Sequence, residues 1–459
     1  MNRNLMTVLA FLMIVGTVSS QEKPKAVSGG LGRTAALGGN PTNPYIQDFT
    51  DVFVNPAYSA WNKDLLFGEL GNSFANQYFA PGQYAAYTLG LGNLAVGIAI
   101  GKREGPMFGE NSYGSGLFAN SDYMIPPINA YAGFGTGEPQ APFHFYAAYR
   151  AGPLTIGGAL YRSSWSYTDD GTGTVGAMQK FEISNNQTGF KAGILLELSS
   201  SFLVDAGLLF RLNSSTADFS DSNPGANPTA ASYDATGTEI GVSGRAFMKF
   251  SDKLTLVPQV RFATFGYEPE MTDNSTPAPP SPVLTKPNDF GRTEFEVGVG
   301  VNSTFEGGWV SVGAAVQSIS LTNDVTTQPG GPGNPLQTTK NKMSWFDLPK
   351  LNVGAEFELL SWLYGRLGYF KRISSVTTTS EPPAPGQKTE NTVSSEPGYI
   401  PSLGFTPAQQ QVSLGLGVLV NRISIDGYVG ERVLASGTWL LSGRLQDIFG
   451  VLSISVKFD

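Results

Sequence analysis

Val451-Leu-Ser-Ile-Ser-Val-Lys-Phe-Asp459 closes the chain, and its reading decides the fold. In an extended strand successive side chains point to opposite faces. Leu452, Ile454, Val456 and Phe458 then share one face, and Ser453, Ser455 and Lys457 share the other. The first face suits lipid and the second a wet lumen. Strands that alternate in this way line a closed transmembrane barrel.

The same dyad recurs upstream. Phe190, Ala192, Ile194, Leu196 and Leu198 oppose Lys191, Gly193 and Glu197; after a turn, Val204, Ala206, Leu208, Phe210 and Leu212 oppose Asp205, Gly207 and Arg211. Comparable segments run through 239–248, 294–302, 351–359, 412–420 and 422–429. Each is long enough for the ~9–11 residues that a tilted membrane strand needs. Short connections at Gly92–Asn93, Ser199–Ser201, Glu306–Gly308 and Asn421 alternate with long ones at about 103–141, 166–187, 213–235, 266–291, 321–347, 373–408 and 433–446, rich in Pro, Ser, Thr, Gly and Asn. That segregation of connection lengths is a barrel signature. The expected fold is all-β, a transmembrane antiparallel β-barrel of about 14–16 strands over 65–459. An even count puts both termini on the periplasmic side.

Composition agrees. Of 459 residues only 14% are charged, Gly numbers 56, and mean hydropathy is −0.08. Beyond the first twenty residues no apolar run reaches the length of a spanning helix. The net charge of −8 gives no basic footprint for nucleic acid. With no Cys, disulfides and thiolate metal sites are excluded. Residues 1–20 read as a secretory signal: Arg3, then an apolar stretch from Leu5 to Val18, with Val18 and Ser20 small enough to flank a cleavage site.

Residues 21–64 lack the dyad. They contain Arg33-Thr-Ala-Ala-Leu-Gly-Gly39 and Asp51-Val-Phe-Val-Asn-Pro-Ala57. This pairing resembles the N-terminal pattern of the FadL-like outer-membrane proteins, which include fatty-acid and aromatic-hydrocarbon transporters and the related PorV-type barrels. The closing strand with its near-terminal aromatic likewise resembles the assembly signal of bacterial outer-membrane barrels. The resemblance implies that 21–64 form a hatch inside the barrel, with Gly38, Gly39, Asp51, Asn55, Pro56 and Ala57 as its motif. It implies a place in the outer membrane of a Gram-negative bacterium, membrane lipid, the barrel-assembly machinery and a small hydrophobic ligand as partners, with any protein partner left open, and uptake of such ligands. A general diffusion porin, and a plugged barrel that scaffolds secretion or surface partners, stand as alternatives.

Three constellations carry candidate function. Lys191, Asp205, Arg211, Glu239, Arg245, Arg261, Glu294, Glu296, Glu356, Arg366, Arg422 and Asp426 fall on the polar face. A charge on the lipid face costs up to ~2–4 kcal/mol near the midplane, so these are expected in the lumen. They form either a path for ions or substrate or a network that braces the wall and grips the hatch; their mixed signs favour bracing. Gly193, Gly207, Gly298, Gly300, Gly313, Gly354, Gly415 and Gly417 bare the inner wall, which makes room for an inserted segment or lets strands bend. Met107, Phe108, Phe118, Tyr123, Ile125, Tyr131 and Phe134 make the 103–141 connection greasy enough for a ligand site, a lid or a partner contact. Trp309, Trp345, Trp362 and Trp439, with Tyr364, Tyr369 and Tyr428, are expected in interfacial belts. His144, the one histidine, falls among aromatics that read as part of such a girdle. No nucleophile–base pair, phosphate loop, cofactor motif or metal-ligand spacing is present, so no enzyme is expected.

Overall fold

The computed structural model describes residues 29–39, 43–70, 84–102, 140–172, 178–222, 229–273, 283–285, 289–327, 335, 337–383, 388–395, 410–430 and 451–458. Residues 1–20, read above as an export signal, and the seven candidate contacts of the 103–141 connection lie outside them, as does Trp439.

One antiparallel sheet of eighteen strands closes on itself. In chain order these are β1 Leu65–Leu70, β2 Tyr84–Leu91, β3 Leu94–Ile100, β4 Gln140–Ala151, β5 Leu154–Thr172, β6 Met178–Ser199, β7 Phe202–Ser222, β8 Thr229–Ser251, β9 Leu254–Asp273, β10 Val283–Thr285, β11 Asp289–Phe305, β12 Gly308–Thr327, β13 Gln337–Leu360, β14 Leu363–Glu381, β15 Thr389–Ser395, β16 Gln410–Val420, β17 Ile423–Gly430 and β18 Val451–Lys457. β10 pairs only with β9 and β15 only with β14, so sixteen strands go round the wall. Sixteen is the upper end of the 14–16 expected from the alternating segments. β1 closes the ring by pairing with β2 on one side and β18 on the other.

Alternation sets the two faces. Ile156, Leu160, Phe190, Phe210, Val242, Val260, Val297 and Leu416 are exposed on the outside, while Lys191, Asp205, Arg211, Glu296 and Asp426 are buried on the inside. Exposed apolar side chains in a continuous belt are costly in water and favourable in lipid, which makes the belt a bilayer contact. The turns at one rim are tight. Gly92 at φ 61° and Asn421 at φ 55° supply the left-handed backbone that two-residue hairpins require.

The opposite rim differs from expectation. Much of 166–187, 213–235, 266–291, 321–347 and 373–408, read as polar loops, continues as strand. β6 and β7 stay in register from Leu196↔Val204 to Met178↔Ser222, and β12 and β13 from Gln317↔Asp347 to Thr327↔Gln337. Both faces are wet above the bilayer, so hydropathy stops alternating while the backbone ladder persists. Strands of 19 to 24 residues such as β5, β6, β8 and β13 outrun the ~9–11 that a bilayer needs. Among the described residues β1–β3, β17 and β18 run for six to eight residues. Within the described residues, one side of the ring continues as a tall half-wall.

The closing strand is fastened at its end. The Phe458 backbone N–H donates to the Asp64 carbonyl at 2.7 Å, and its ring lies 6.0 Å from that of Tyr87. Deleting Phe458 should lower the yield of folded barrel, scored as heat-modifiable protein on a gel, while Phe458→Trp should keep it. Equal yield from the deletion would remove the terminal aromatic from assembly.

Candidate functional site

Residues 29–39 and 43–63 fold inside the barrel. Leu31–Ala36 form a one-turn helix, α1, which ends where Gly38 turns left-handed at φ 75°. The Gly39 N–H reaches back to the Thr34 carbonyl at 2.9 Å, a glycine-terminated helix end. Two 3-10 turns follow, Phe49–Phe53 and Pro56–Ala60. Asp48 caps the first by accepting the Thr50 N–H at 3.0 Å, and Asp51 returns the favour by accepting the Asp48 N–H at 3.0 Å. Asn55 caps the second by accepting the Ala57 N–H at 3.0 Å, with Pro56 at the first helical position. The Asp-x-x-x-Asn-Pro-Ala spacing thus joins the returning carboxylate of one capping box to the cap of the next turn.

The bare inner wall is the seat of this segment. A Cβ placed on Gly193 would fall on the Asn55 amide, and one on Gly157 on the Pro56–Ala57 backbone. Gly298, Gly300 and Gly313 leave a slot for Tyr45, and a Cβ on Gly354 would lie 2.6 Å from the Leu37 carbonyl oxygen. A Cβ on Gly415 would collide with Ala36, whereas at Gly417 it would meet Arg366 and Asp426. Tyr45 fills its slot completely and donates from its hydroxyl to the Ala314 carbonyl at 3.0 Å. Asn302 and Asn352 donate to the Tyr45 and Gly38 carbonyls at 2.8 and 2.7 Å. Gly313→Leu should therefore unseat Tyr45 and destabilise the barrel by about 1–3 kcal/mol. Thermal unfolding measures this, and Tyr45→Ala in the same chain should restore part of the loss. No recovery would show that the glycine serves the strand rather than the slot.

Two charge clusters fasten the segment. In the first, Arg245 on β8 donates to Asp205 on β7 at 2.8 Å, pairs with Asp51 at 3.1 Å, and reaches the Pro44 and Ile46 carbonyls at 3.3 and 3.2 Å. Asp205 also accepts from Asn55 at 2.6 Å and Tyr58 at 2.9 Å, and Lys191 donates to the Phe53 carbonyl. Burial pushes the Asp51 carboxyl up to about 6, opposed by Arg245 and helped by the Asp205 charge. In the second, Arg33 pairs with Glu356 at 3.1 Å and Asp48 at 3.4 Å and lies 5.6 Å from the Trp309 ring centroid. Burial works against the Arg33 charge, but Glu356 and Asp48 outweigh it and hold the guanidinium above its ordinary range. Arg366 joins Glu356 to Asp426, each at 2.6 Å. Asp426 accepts the Gly29 N–H at 3.1 Å, while Glu69 and Ser453 take the Leu31 and Gly32 N–H groups at 2.8 Å.

The remaining lumen charges brace the wall. Arg211 pairs with Glu239, Arg292 with Glu294, and Lys350 with Glu296 at 2.7 Å. Arg261 is half-buried, in register with Ser243 and Glu296. Arg422 corrects the reading: it lies exposed in the β16–β17 turn, because the strand begins at Ile423 and the lumen dyad starts only at Ser424. His144 is likewise buried inside, its ring 5.4 Å from Phe53 and its Nε2 3.1 Å from the Lys102 carbonyl, while its neighbours Phe143 and Phe145 face outward.

A second correction reveals a feature that sequence reading missed. Trp345 and Tyr428 are buried on the lumen side, and Trp309 donates to Glu356 at 2.9 Å. For Trp345 the cause is one extra residue in β13. Between Asp347 and Lys350 that strand advances three residues while β12 and β14 advance two. Such a bulge inverts the facing of everything beyond it. Met343 and Trp345 thereby join Phe265, Ile319, Leu321 and Val376 in an apolar patch on the inner face of the tall half-wall. Its lower border is polar: Arg372 lies 4.6 Å from the Trp345 ring centroid, and Asp347 accepts the Trp345 indole N–H at 2.5 Å. Pro349 in mid-strand was the available signal, since proline inside a strand marks a bulge or an edge.

No protein-family model matches the chain, and no curated protein does. Among solved structures it is similar to the P. putida toluene transporter TodX, at 11% identity over 94% of this chain and 99% of that one, with a TM-score of 0.39. A Pseudomonas aeruginosa FadL homologue aligns at 13% identity over 97% and 99%, with a TM-score of 0.39. The ferric yersiniabactin uptake receptor FyuA from Yersinia pestis aligns at 9% identity over 86% and 80%, with a TM-score of 0.34.

Proposed function

We propose that the protein is an outer-membrane transporter of small hydrophobic molecules, held closed at rest by the segment 29–63. The observation that carries this reading is the coexistence of two inner surfaces. Below, the lumen is occupied by the clasped segment, and its charges are neutralised in mixed-sign clusters rather than gathered into a filter of one sign. Beyond it, the half-wall turns Phe265, Ile319, Leu321, Met343, Trp345 and Val376 inward. These side chains pack as a buried apolar cluster, which, once parted, serves an apolar cargo and offers nothing to an ion. The resemblance of the 33–57 motifs to the FadL-like pattern points the same way.

In this reading the greasy 103–141 connection captures cargo, the apolar half-wall passes it inward, and displacement of the hatch opens a route to the periplasm or the bilayer. Both ends of the barrel domain lie at the tight-turn rim, where the Phe458 N–H meets Asp64, which fits periplasmic termini. Insertion by the barrel-assembly machinery belongs to the same reading.

Uptake of a radiolabelled aromatic hydrocarbon by intact cells tests it. Cells expressing the protein should take up the hydrocarbon several-fold faster than cells with an empty vector, with no gain for a charged solute of similar size. Leu321→Asn should reduce the gain while the amount of folded barrel stays unchanged. Equal uptake with and without the protein would sink the proposal.

A further inference from the structure

The outer surface carries a concavity that neither the hatch nor the cargo path uses. We propose that it is a docking site for the saccharide headgroup of a membrane glycolipid, whose acyl chains lie on the apolar belt below. The inference rests on the outer-membrane placement above and not on the cargo.

The site follows one register row. Arg162, Thr188, Leu212, Thr238, Gly266 and Gly291 pair in turn across β5, β6, β7, β8, β9 and β11, and all lie on the outward face. The row ends in Thr238 and two neighbouring glycines, Gly266 and Gly291, which leave that end without bulk. The result is a hollow of about 1280 Å³ on the outer wall.

Its height on the barrel identifies the occupant. The outward row beneath contains Leu160, Phe190, Phe210 and Ile240, all exposed and apolar. The outward positions above it that line the hollow are Asn186, Ser214, Thr236, Glu268 and Asp324. The hollow therefore straddles the border between lipid tails and polar medium. A ligand seated there needs a polar group in the hollow and a tail on the belt, which a lipid supplies in one molecule.

The lining chooses among headgroups. Hydroxyl and amide groups predominate, and carboxylates can accept from hydroxyls, so the lining matches a ligand rich in hydroxyls. Arg162, held by a 2.8 Å bond to Thr188, is the one cation in the lining, against two carboxylates. A headgroup that is only a phosphate would meet one cation and two carboxylates, whereas one that also carries hydroxyls can donate to Glu268 and Asp324.

The test places the full-length protein in nanodiscs of phosphatidylethanolamine and phosphatidylglycerol containing a minor share of lipopolysaccharide. Native mass spectrometry then counts the lipids retained on each barrel. The wild type should retain lipopolysaccharide in preference to either phospholipid. Thr238→Trp, which fills the hollow, and Arg162→Ala should each lower retention roughly tenfold by removing a few hydrogen bonds. Ile425→Trp, exposed on the far wall, should not change it. Equal retention of phospholipid, or retention indifferent to both variants, overturns the proposal. So does full competition by deacylated saccharide, which would make the ligand a soluble sugar, or occupation by a co-purifying protein. If Thr238→Trp does not fold, judged by heat modifiability, Arg162→Ala decides alone. Failure of the wild type to enter a bilayer would sink the membrane placement itself; insertion without selective retention sinks only this site.

Discussion

Deleting residues 29–63 should turn an electrically silent barrel into a steady pore. Planar-bilayer recording measures this directly on purified protein. A barrel of sixteen strands encloses enough space for a water-filled channel. Here that space holds α1, two 3-10 turns and the buried side chains of Leu37, Tyr45, Phe49, Val52 and Tyr58. Asn55 seats on Gly193, Tyr45 on Gly298 and Gly313, and Leu37 on Gly354, glycines with no side chains to fill the gap once the segment is gone. The wall keeps its own braces, Arg211–Glu239 and Lys350–Glu296, so the barrel should survive the deletion. Conductance should then rise by roughly an order of magnitude or more, with weak ion selectivity because the newly exposed charges are of both signs. A wild type that already conducts steadily would instead favour a general diffusion porin. A deletion mutant that inserts yet stays silent would show that something other than 29–63 closes the lumen.

Legibility in the sequence followed the physics of each region. Where the wall has lipid on one side and a polar lumen on the other, hydropathy alternates with the pleat, and the strands around Phe190, Leu208, Val297 and Leu416 could be read directly. Tight turns with Gly or Asn at left-handed positions fixed one rim. The other rim was misread because Ser, Thr, Asn and Asp dominate both faces above the bilayer. Hydropathy then carries no facing signal, although the backbone bonds continue to Thr172↔Met178 and Asp221↔Thr229.

The site was legible as a list and illegible as an arrangement. Asp205, Arg245, Glu356 and Asp426 could be placed on the lumen face by parity alone. Which of them meet each other, and which meet the hatch, depends on register across strands far apart in sequence. The slot for Tyr45 arises because Gly300 faces Gly313 across β11 and β12, a pairing that single-strand reading does not see. Strict alternation also failed where the chain breaks it. One extra residue near Pro349 moved Trp345 from a supposed interfacial belt to the lumen and built the apolar patch in doing so.

Arg245→Ala should be the most damaging single substitution in the clasp. The guanidinium serves five partners: Asp205, Asp51, the Pro44 and Ile46 carbonyls, and the Tyr58 hydroxyl at 3.2 Å. Its removal leaves two carboxylates close together in a space that admits little water. Breaking a buried pair from one side costs about 3–5 kcal/mol, because the remaining charge stays unpaired. The loss should fall on the hatch, since Arg245 is the strand residue that grips Asp51 and both carbonyls of the approaching chain. The expected result is a barrel that still folds, opens intermittently in planar bilayers, and exposes 43–60 to protease. Adding Asp51→Asn and Asp205→Asn should recover closure in part, because neutral amides need no counter-ion, and at position 205 the amide oxygen can still accept from Asn55 while its NH2 donates to the Tyr58 hydroxyl. If the triple variant leaks as much as Arg245→Ala, the arginine acts through its hydrogen bonds to the Pro44 and Ile46 carbonyls, and charge compensation is not what holds the hatch.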